Sequence, residues 1–192
     1  AMLLREVSVA DLNGDGTYTL DEAIRAAHAE YYSGGTGGYA TDADGYVSKL
    51  WGENTFGSGF CKNDAMTGPV GEEPVADGDR VTAYIYHDTA NYSDRYSFFD
   101  AERKTVAANE EFTLTLTGRA YDETWVLVEK PVATAPLGVF DPETGSYSVP
   151  DSMKGEVVWN DVRKKASTDT YGNAVVLFTE PGVYYVTAQA DS

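Results

Sequence analysis

The sequence predicts an α+β domain over residues 3–100 followed by an all-β sandwich over residues 101–192. Three observations carry that reading. Only one segment has helical spacing of apolar residues: Leu20, Ile24, Ala27 and Tyr31 recur at i, i+4, i+7 and i+11. From Glu111 onward, short runs alternate at period two between Pro, Gly and Asp turn signals, and no helical period returns. The glycine- and aromatic-rich character of the first half also gives way near Asp100 to Thr/Val strand segments. A length of 192 residues suits two domains of roughly a hundred each.

Taken in order, Arg5 to Ala10 alternates as a strand through Val7 and Val9. Residues 11–22 then read Asp-Leu-Asn-Gly-Asp-Gly-Thr-Tyr-Thr-Leu-Asp-Glu, which satisfies D-x-[DN]-x-[DN]-G, five residues, then Glu, at every specified position. Calcium takes six to eight oxygen ligands, and this stretch can offer them. Asp11, Asn13 and Asp15 carry side-chain oxygens at alternate positions, and Gly16 permits the bend after the third. Thr17 would add its carbonyl, Thr19 a hydroxyl or a bridging water, and Glu22 both carboxylate oxygens. The competing reading is a hairpin turn between Val7–Val9 and Tyr18–Leu20. A plain turn, however, has no evident need of a glutamate at the twelfth position.

These twelve residues resemble an EF-hand loop. A strand rather than a helix is expected before it, so the resemblance implies a static site and not the paired-helix opening of calcium sensors. Thr19 or Asp21 is placed to cap the helix, and Ser33-Gly34-Gly35 to stop it. Asp42-Ala43-Asp44-Gly45 imitates half a calcium loop, but nothing downstream completes it, so it reads as a turn. Gly57 to Asn63 starts a strand, Gly68 to Gly78 is a surface loop, and Asp79–Tyr86 and Tyr96–Phe99 are further strands. The Asp21-Glu22-Ala23-Ile24 helix opening, the Gly57-Ser58-Gly59-Phe60 segment and the Asp77-Gly78-Asp79-Arg80-Val81 stretch together resemble β-grasp domains like the C-terminal domain of transcobalamin. Such domains occur in secreted and surface proteins of Gram-positive bacteria. No cobalamin-contact motif is visible, so no ligand residue is carried over.

In the second half, strands are expected at Glu111–Thr117, Trp125–Val128, Gly145–Val149, Val157–Trp159, Ala174–Phe178 and Gly182–Thr187. The closing run from Thr168 to Ala188 is similar to the last hairpin of bacterial Ig-like domains, which implies a sandwich and says little about ligand.

Function is bounded mostly by exclusion. With 14 basic against 31 acidic residues the net charge is −17, which opposes binding to nucleic acid or anionic lipid. No run approaches a membrane span, so no membrane insertion is expected of this fragment. The Ala1-Met2 start and the absence of a signal peptide suggest a piece excised from a longer protein. His28 and His87 lie in no catalytic motif. The single cysteine, Cys61, has its only thioester-type partner in Gln189, far along the chain, and a thioester is rejected. Trp51, Tyr92, Tyr96, Trp125 and Trp159 are candidates for a carbohydrate platform, although aromatics are more often core in small β domains. The expectation is a non-enzymatic, Ca2+-stabilised extracellular module of a bacterial cell-surface or secreted protein, acting in adhesion or as a spacer and meeting a protein or glycan ligand. The alternative is a carbohydrate-binding module attached to a glycan-degrading enzyme.

Overall fold

The computed structural model describes residues 5–55, 57–91, 94–124 and 126–189. The chain is mostly β, with one α-helix among the described residues, and it divides into two compact units, Leu4–Asp94 and Arg95–Ser192. Phe56, Tyr92 and Trp125 lie outside the described residues.

In the first unit, helix α1 (Leu20–Tyr31) is followed by a 3-10 turn, Gly35–Gly38, and six short strands. These are β1 (Ala40–Thr41), β2 (Val47–Leu50), β3 (Glu53–Asn54), β4 (Ser58–Lys62), β5 (Ala65–Met66) and β6 (Val81–Ile85). They form two antiparallel sheets, ordered β1-β2-β3 and β5-β4-β6. Leu20, Ile24, Tyr39, Leu50 and Val70 make the buried core, with Phe60, Val81, Ala83 and Ile85 packed against it. Leu20 and Leu50 are fully buried, each contributing about 1.5–3 kcal/mol by leaving water.

The buried helix face differs from the expected one. Leu20, Ala23, Ile24 and His28 face inward, whereas Tyr31 is exposed. The core is centred on the first two turns. Tyr31 instead reaches back along the chain, its hydroxyl donating to the Glu6 carbonyl at 2.6 Å, with the Arg5 guanidinium 6.0 Å over its ring. The expected strand over Arg5–Ala10 is absent: this arm makes no ladder. Tyr18–Leu20 is not a strand either, because Thr19 makes only a bridge to Pro74 and Leu20 already opens the helix.

Glycines around Tyr32 explain the glycine-rich stretch. A Cβ built at Gly38 would lie 2.4 Å from the Tyr32 ring, and one at Gly34 2.5 Å from it. At Gly52 it would meet the Tyr32 hydroxyl at 2.0 Å, and the backbone there already has φ 84. The residue before it, Trp51, adopts φ 52. A left-handed conformation costs a non-glycine residue about 1–2 kcal/mol, so the Trp51-Gly52 turn must be held by its surroundings.

The second unit is all-β. Its strands are β7 (Tyr96–Phe99), β8 (Phe112–Tyr121), β9 (Leu127–Pro131), β10 (Leu137–Phe140), β11 (Tyr147–Ser148), β12 (Met153–Lys154), β13 (Val157–Trp159), β14 (Val162–Arg163), β15 (Asn173–Phe178) and β16 (Val186–Ala188). One sheet runs β12-β15-β8-β7, with β9 also paired to β8; a second runs β11-β10-β16; β13 and β14 form a separate hairpin. Thr115 pairs with Asn173 while also bonding Asp100. A strand has two edges, so β15 and β9 share one edge of β8 in succession and β7 takes the other. Leu114, Met153, Ala174, Val176 and Phe178 from the first sheet share one core with Leu137 from the second. Phe178 stacks on Tyr184 at 3.8 Å and 9°.

Tyr96–Phe99 was expected to end the first domain. It pairs along its whole length with Leu116–Arg119 and belongs to the second unit. Strand β10 had not been expected: Gly138 interrupts its apolar run, at a position where a Cβ would fall 2.5 Å from the Ser148 carbonyl oxygen. Since the second unit has its own core, residues 95–192 expressed alone should give the dispersed amide spectrum of a folded β domain. A collapsed spectrum would tie its folding to the first unit.

Candidate metal loop

Thr19 is the helix N-cap, and it forms a reciprocal capping box with Glu22. The Thr19 N–H donates to Glu22 Oε2 at 2.9 Å, and the Glu22 N–H donates to Thr19 Oγ1 at 3.4 Å. Such caps contribute about 1 kcal/mol. The remaining N–H groups of the first turn are met by the segment after Gly68. Leu20 N–H donates to Glu73 O at 2.8 Å and Asp21 N–H to Val70 O at 2.9 Å, while Val75 N–H returns a bond to Tyr18 O at 2.8 Å. The expected surface loop Gly68–Gly78 thus closes the helix start, held in turn by Lys62, which bonds the Pro74 carbonyl and pairs with Glu73.

With its C-terminal end fixed in this way, the loop folds around its own side chains. Asp11 accepts the Gly14 N–H at 2.6 Å through Oδ1 and the Gly16 N–H at 2.8 Å through Oδ2. Asn13 Oδ1 accepts from Asp15 N–H at 3.0 Å, and Asp15 Oδ1 from Thr17 N–H at 2.7 Å. Asn13 Nδ2 donates to Asp15 Oδ2 at 2.9 Å. Both glycines have positive φ, 76 at Gly14 and 83 at Gly16; the pattern specifies Gly16, and Gly14 stands at one of its free positions.

Glu22 is only 4% exposed. Its Oε1 accepts the Leu12 N–H at 2.6 Å, and its Oε2 accepts both the N–H and the hydroxyl of Thr19. This carboxylate therefore ties the two ends of the loop together and caps the helix. The sequence argument that a turn has no use for a glutamate here does not hold. Asp11, Asn13, Asp15 and Thr17 lie in the loop, while Thr19 caps the helix and Glu22 sits in its first turn. Among the described residues, however, no three acidic, histidine or cysteine side chains converge as a ready metal cluster.

The donor set is nonetheless made of hard oxygens, as calcium requires. Asp11 is half-buried and Asp15 exposed, and an oxygen that accepts one N–H retains a lone pair. Thr19 and Glu22, with Leu12, Asn13 and Arg25, border an open cleft of about 340 Å³ beside the loop. At its edge Asp21 receives the Arg25 Nε–H at 2.7 Å and the Tyr39 hydroxyl at 2.7 Å. The bond to Asp21 raises the Arg25 pKa, and burial followed by the same carboxylate pushes the Tyr39 phenol up.

The other sequence candidates separate cleanly. Asp42 Oδ1 accepts the N–H groups of Asp44 and Tyr46 at 3.0 and 2.9 Å, a turn device. Asp122 and Asp169 repeat it on the N–H groups two and four residues on. Several of the chain's many aspartates are therefore turn formers. Cys61 is fully buried, its Sγ 3.5 Å from Met66 Sδ. Trp51 stacks on His28 within the first unit, and Tyr96 stacks on Phe98. Trp159 is 73% exposed at the end of β13, Tyr171 74% and Tyr46 70%. Compared with known protein families, with curated proteins and with solved structures, the chain matches none.

Proposed function

We propose that this chain is a calcium-stabilised, non-enzymatic extracellular module of a larger bacterial surface or secreted protein, serving in adhesion or as a spacer. The observation that carries the reading is the Asp11–Glu22 loop. Its oxygen donors stand at every position the calcium pattern asks for, on a loop whose two ends meet at Glu22. In this reading Asp11, Asn13 and Asp15 supply side-chain oxygens, Thr17 its carbonyl, and Thr19 and Glu22 close the shell. A bound Ca2+ supplies the positive charge that lets these carboxylates sit together. The surplus of acidic residues and the absence of any long apolar helix among the described residues agree with it. The first unit, one helix over small antiparallel sheets, is read as β-grasp-like, and the second, two sheets over one core, as Ig-like.

A second reading, a carbohydrate-binding module, is favoured by one feature, the exposed Trp159 on the β13–β14 hairpin, because a bare indole face can stack on a sugar ring. A glycan array in calcium buffer, run with the parent chain and with Trp159→Ala, decides between the two. A spacer, or an adhesion module with a protein ligand, retains no glycan. Retention that Trp159→Ala abolishes would replace that reading with the carbohydrate-binding one.

A further inference from the structure

His28 is fully enclosed although it occupies a core position. Its Nδ1 lies 2.8 Å from the Ile24 carbonyl oxygen and its Nε2 2.9 Å from the Trp51 amide nitrogen. These partners fix the tautomer. A carbonyl can only accept, so Nδ1 carries the proton, and Nε2 must accept the Trp51 N–H. The imidazole is neutral by construction. Trp51 lies parallel to it, ring centroids 4.0 Å apart and planes at 12°, with Tyr32 and Tyr39 closing the sides at 5.7 and 5.4 Å.

What the ring holds is the strained turn between β2 and β3. Trp51 has a left-handed backbone, and besides the Leu50–Glu53 pairing that closes the hairpin the turn is fastened by two bonds, Trp51 N–H to His28 Nε2 and Gly52 N–H to Gly38 O at 2.9 Å. We infer that His28 is an acid-sensitive latch: protonation at Nε2 sets a second donor against the Trp51 N–H, breaks that bond and frees the Trp51-Gly52 turn.

The surroundings give an added proton nothing to bind. The charged residues on the elements packed around the ring are Asp21, Glu22, Arg25 and Glu30 on the helix, Lys49 on β2 and Glu53 on β3. None of them bonds the imidazole, and none sets its titration. Burial lowers the His28 pKa below its ordinary value, opposed only in part by the bond to Ile24. The sign follows. An unfolded chain takes up the proton near pH 6.5 and the folded one only below that. The latch therefore keeps its full contribution above about pH 6.5 and loses it as the pH falls below that value.

The test is amide exchange and imidazole 15N NMR on the intact chain, at fixed salt and calcium, from about pH 7 down to about pH 4.5. Near pH 7 the His28 signals should report an Nδ1–H tautomer. As His28 protonates, protection of the Trp51 amide, corrected for intrinsic exchange, should fall about tenfold or more, while amides of Asn173–Phe178 keep theirs. His28→Gln, which offers a non-titrating acceptor, should remove the pH dependence. A His28 that stays neutral until the whole unit unfolds overturns the latch. So does protonation that leaves Trp51 protected. Both outcomes are read from the parent chain alone, whether or not the variant folds.

Discussion

Adding about 1 mM Ca2+ to the chelator-treated protein should raise the melting temperature of the first unit by roughly 10–20 °C. The size follows from linkage. At an affinity of ~10 µM and ~1 mM free ion, a ligand that binds only the folded state stabilises it by about 2.7 kcal/mol. For a unit of this size each kilocalorie moves the midpoint by about 4–8 °C. The gain is expected at the Asp11–Glu22 loop. Without an ion the loop rests on hydrogen bonds from Asp11, Asn13 and Asp15 to its own backbone, all at exposed sites. Glu22→Gln removes the charge an ion needs, and its single amide oxygen replaces only one of the two carboxylate oxygens: with that oxygen on the Thr19 N–H, the amide NH2 faces the Leu12 N–H. In chelator the variant should melt somewhat below the parent, and calcium should move it little. Glu22→Ala should fall below the parent in chelator by about 1 kcal/mol, the ordinary worth of a cap. If Glu22→Gln responds to calcium as strongly as the parent, the ion lies elsewhere.

Gly172→Ala should destabilise the second unit by about 2–5 kcal/mol. Gly172 stands where two strands succeed each other on one edge of β8. Its carbonyl accepts the Leu116 N–H at 2.8 Å, while Leu116 O takes the Val132 N–H at 3.0 Å. A Cβ at this position would lie 2.5 Å from the Leu116 carbonyl oxygen, and a backbone atom inside a ladder cannot swing away as a side chain does. Overpacking of this kind costs about 1–3 kcal/mol. The φ of 79 adds the strain of a left-handed alanine, about 1–2 kcal/mol. Gly145→Ala is the control. It shares the positive φ, 69, but has nothing within 4 Å of the added carbon, so only the strain should appear. Urea titrations of both variants measure the difference, and equal midpoints would mean that the close approach to Leu116 is relieved at no cost.

Much of this was legible locally. The helix stop, the Thr19 cap and the run from Phe112 onward follow from short-range pattern, since alternation along β8 buries Leu114 and Leu116 on one face. What escaped depends on partners distant in sequence. Tyr96–Phe99 reads as a strand, but only its pairing with Leu116–Arg119 assigns it to the second unit. The Pro69–Val75 segment has loop composition, and its role at the helix start is set by backbone bonds that no side chain announces. His28 was set aside as a lone histidine, although Leu20, Ile24 and His28 stand at exact four-residue steps and share the buried face. Gly34 was expected only as part of the helix stop and Gly38 and Gly52 drew no reading of their own, whereas all three make room for Tyr32. In the loop itself the pattern reads Glu22 only as a ligand, whereas Glu22 has a capping role that needs no ion.

Calorimetric titration of Ca2+ into the chelator-stripped chain, at about 0.15 M salt, tests the central claim most directly. The account predicts a single site with an affinity of ~10 µM, weakened about tenfold or more in both Asp11→Asn and Glu22→Gln. Absence of saturable heat up to several millimolar ion, or a site that both variants leave intact, would contradict it and reduce Asp11–Glu22 to a capped turn.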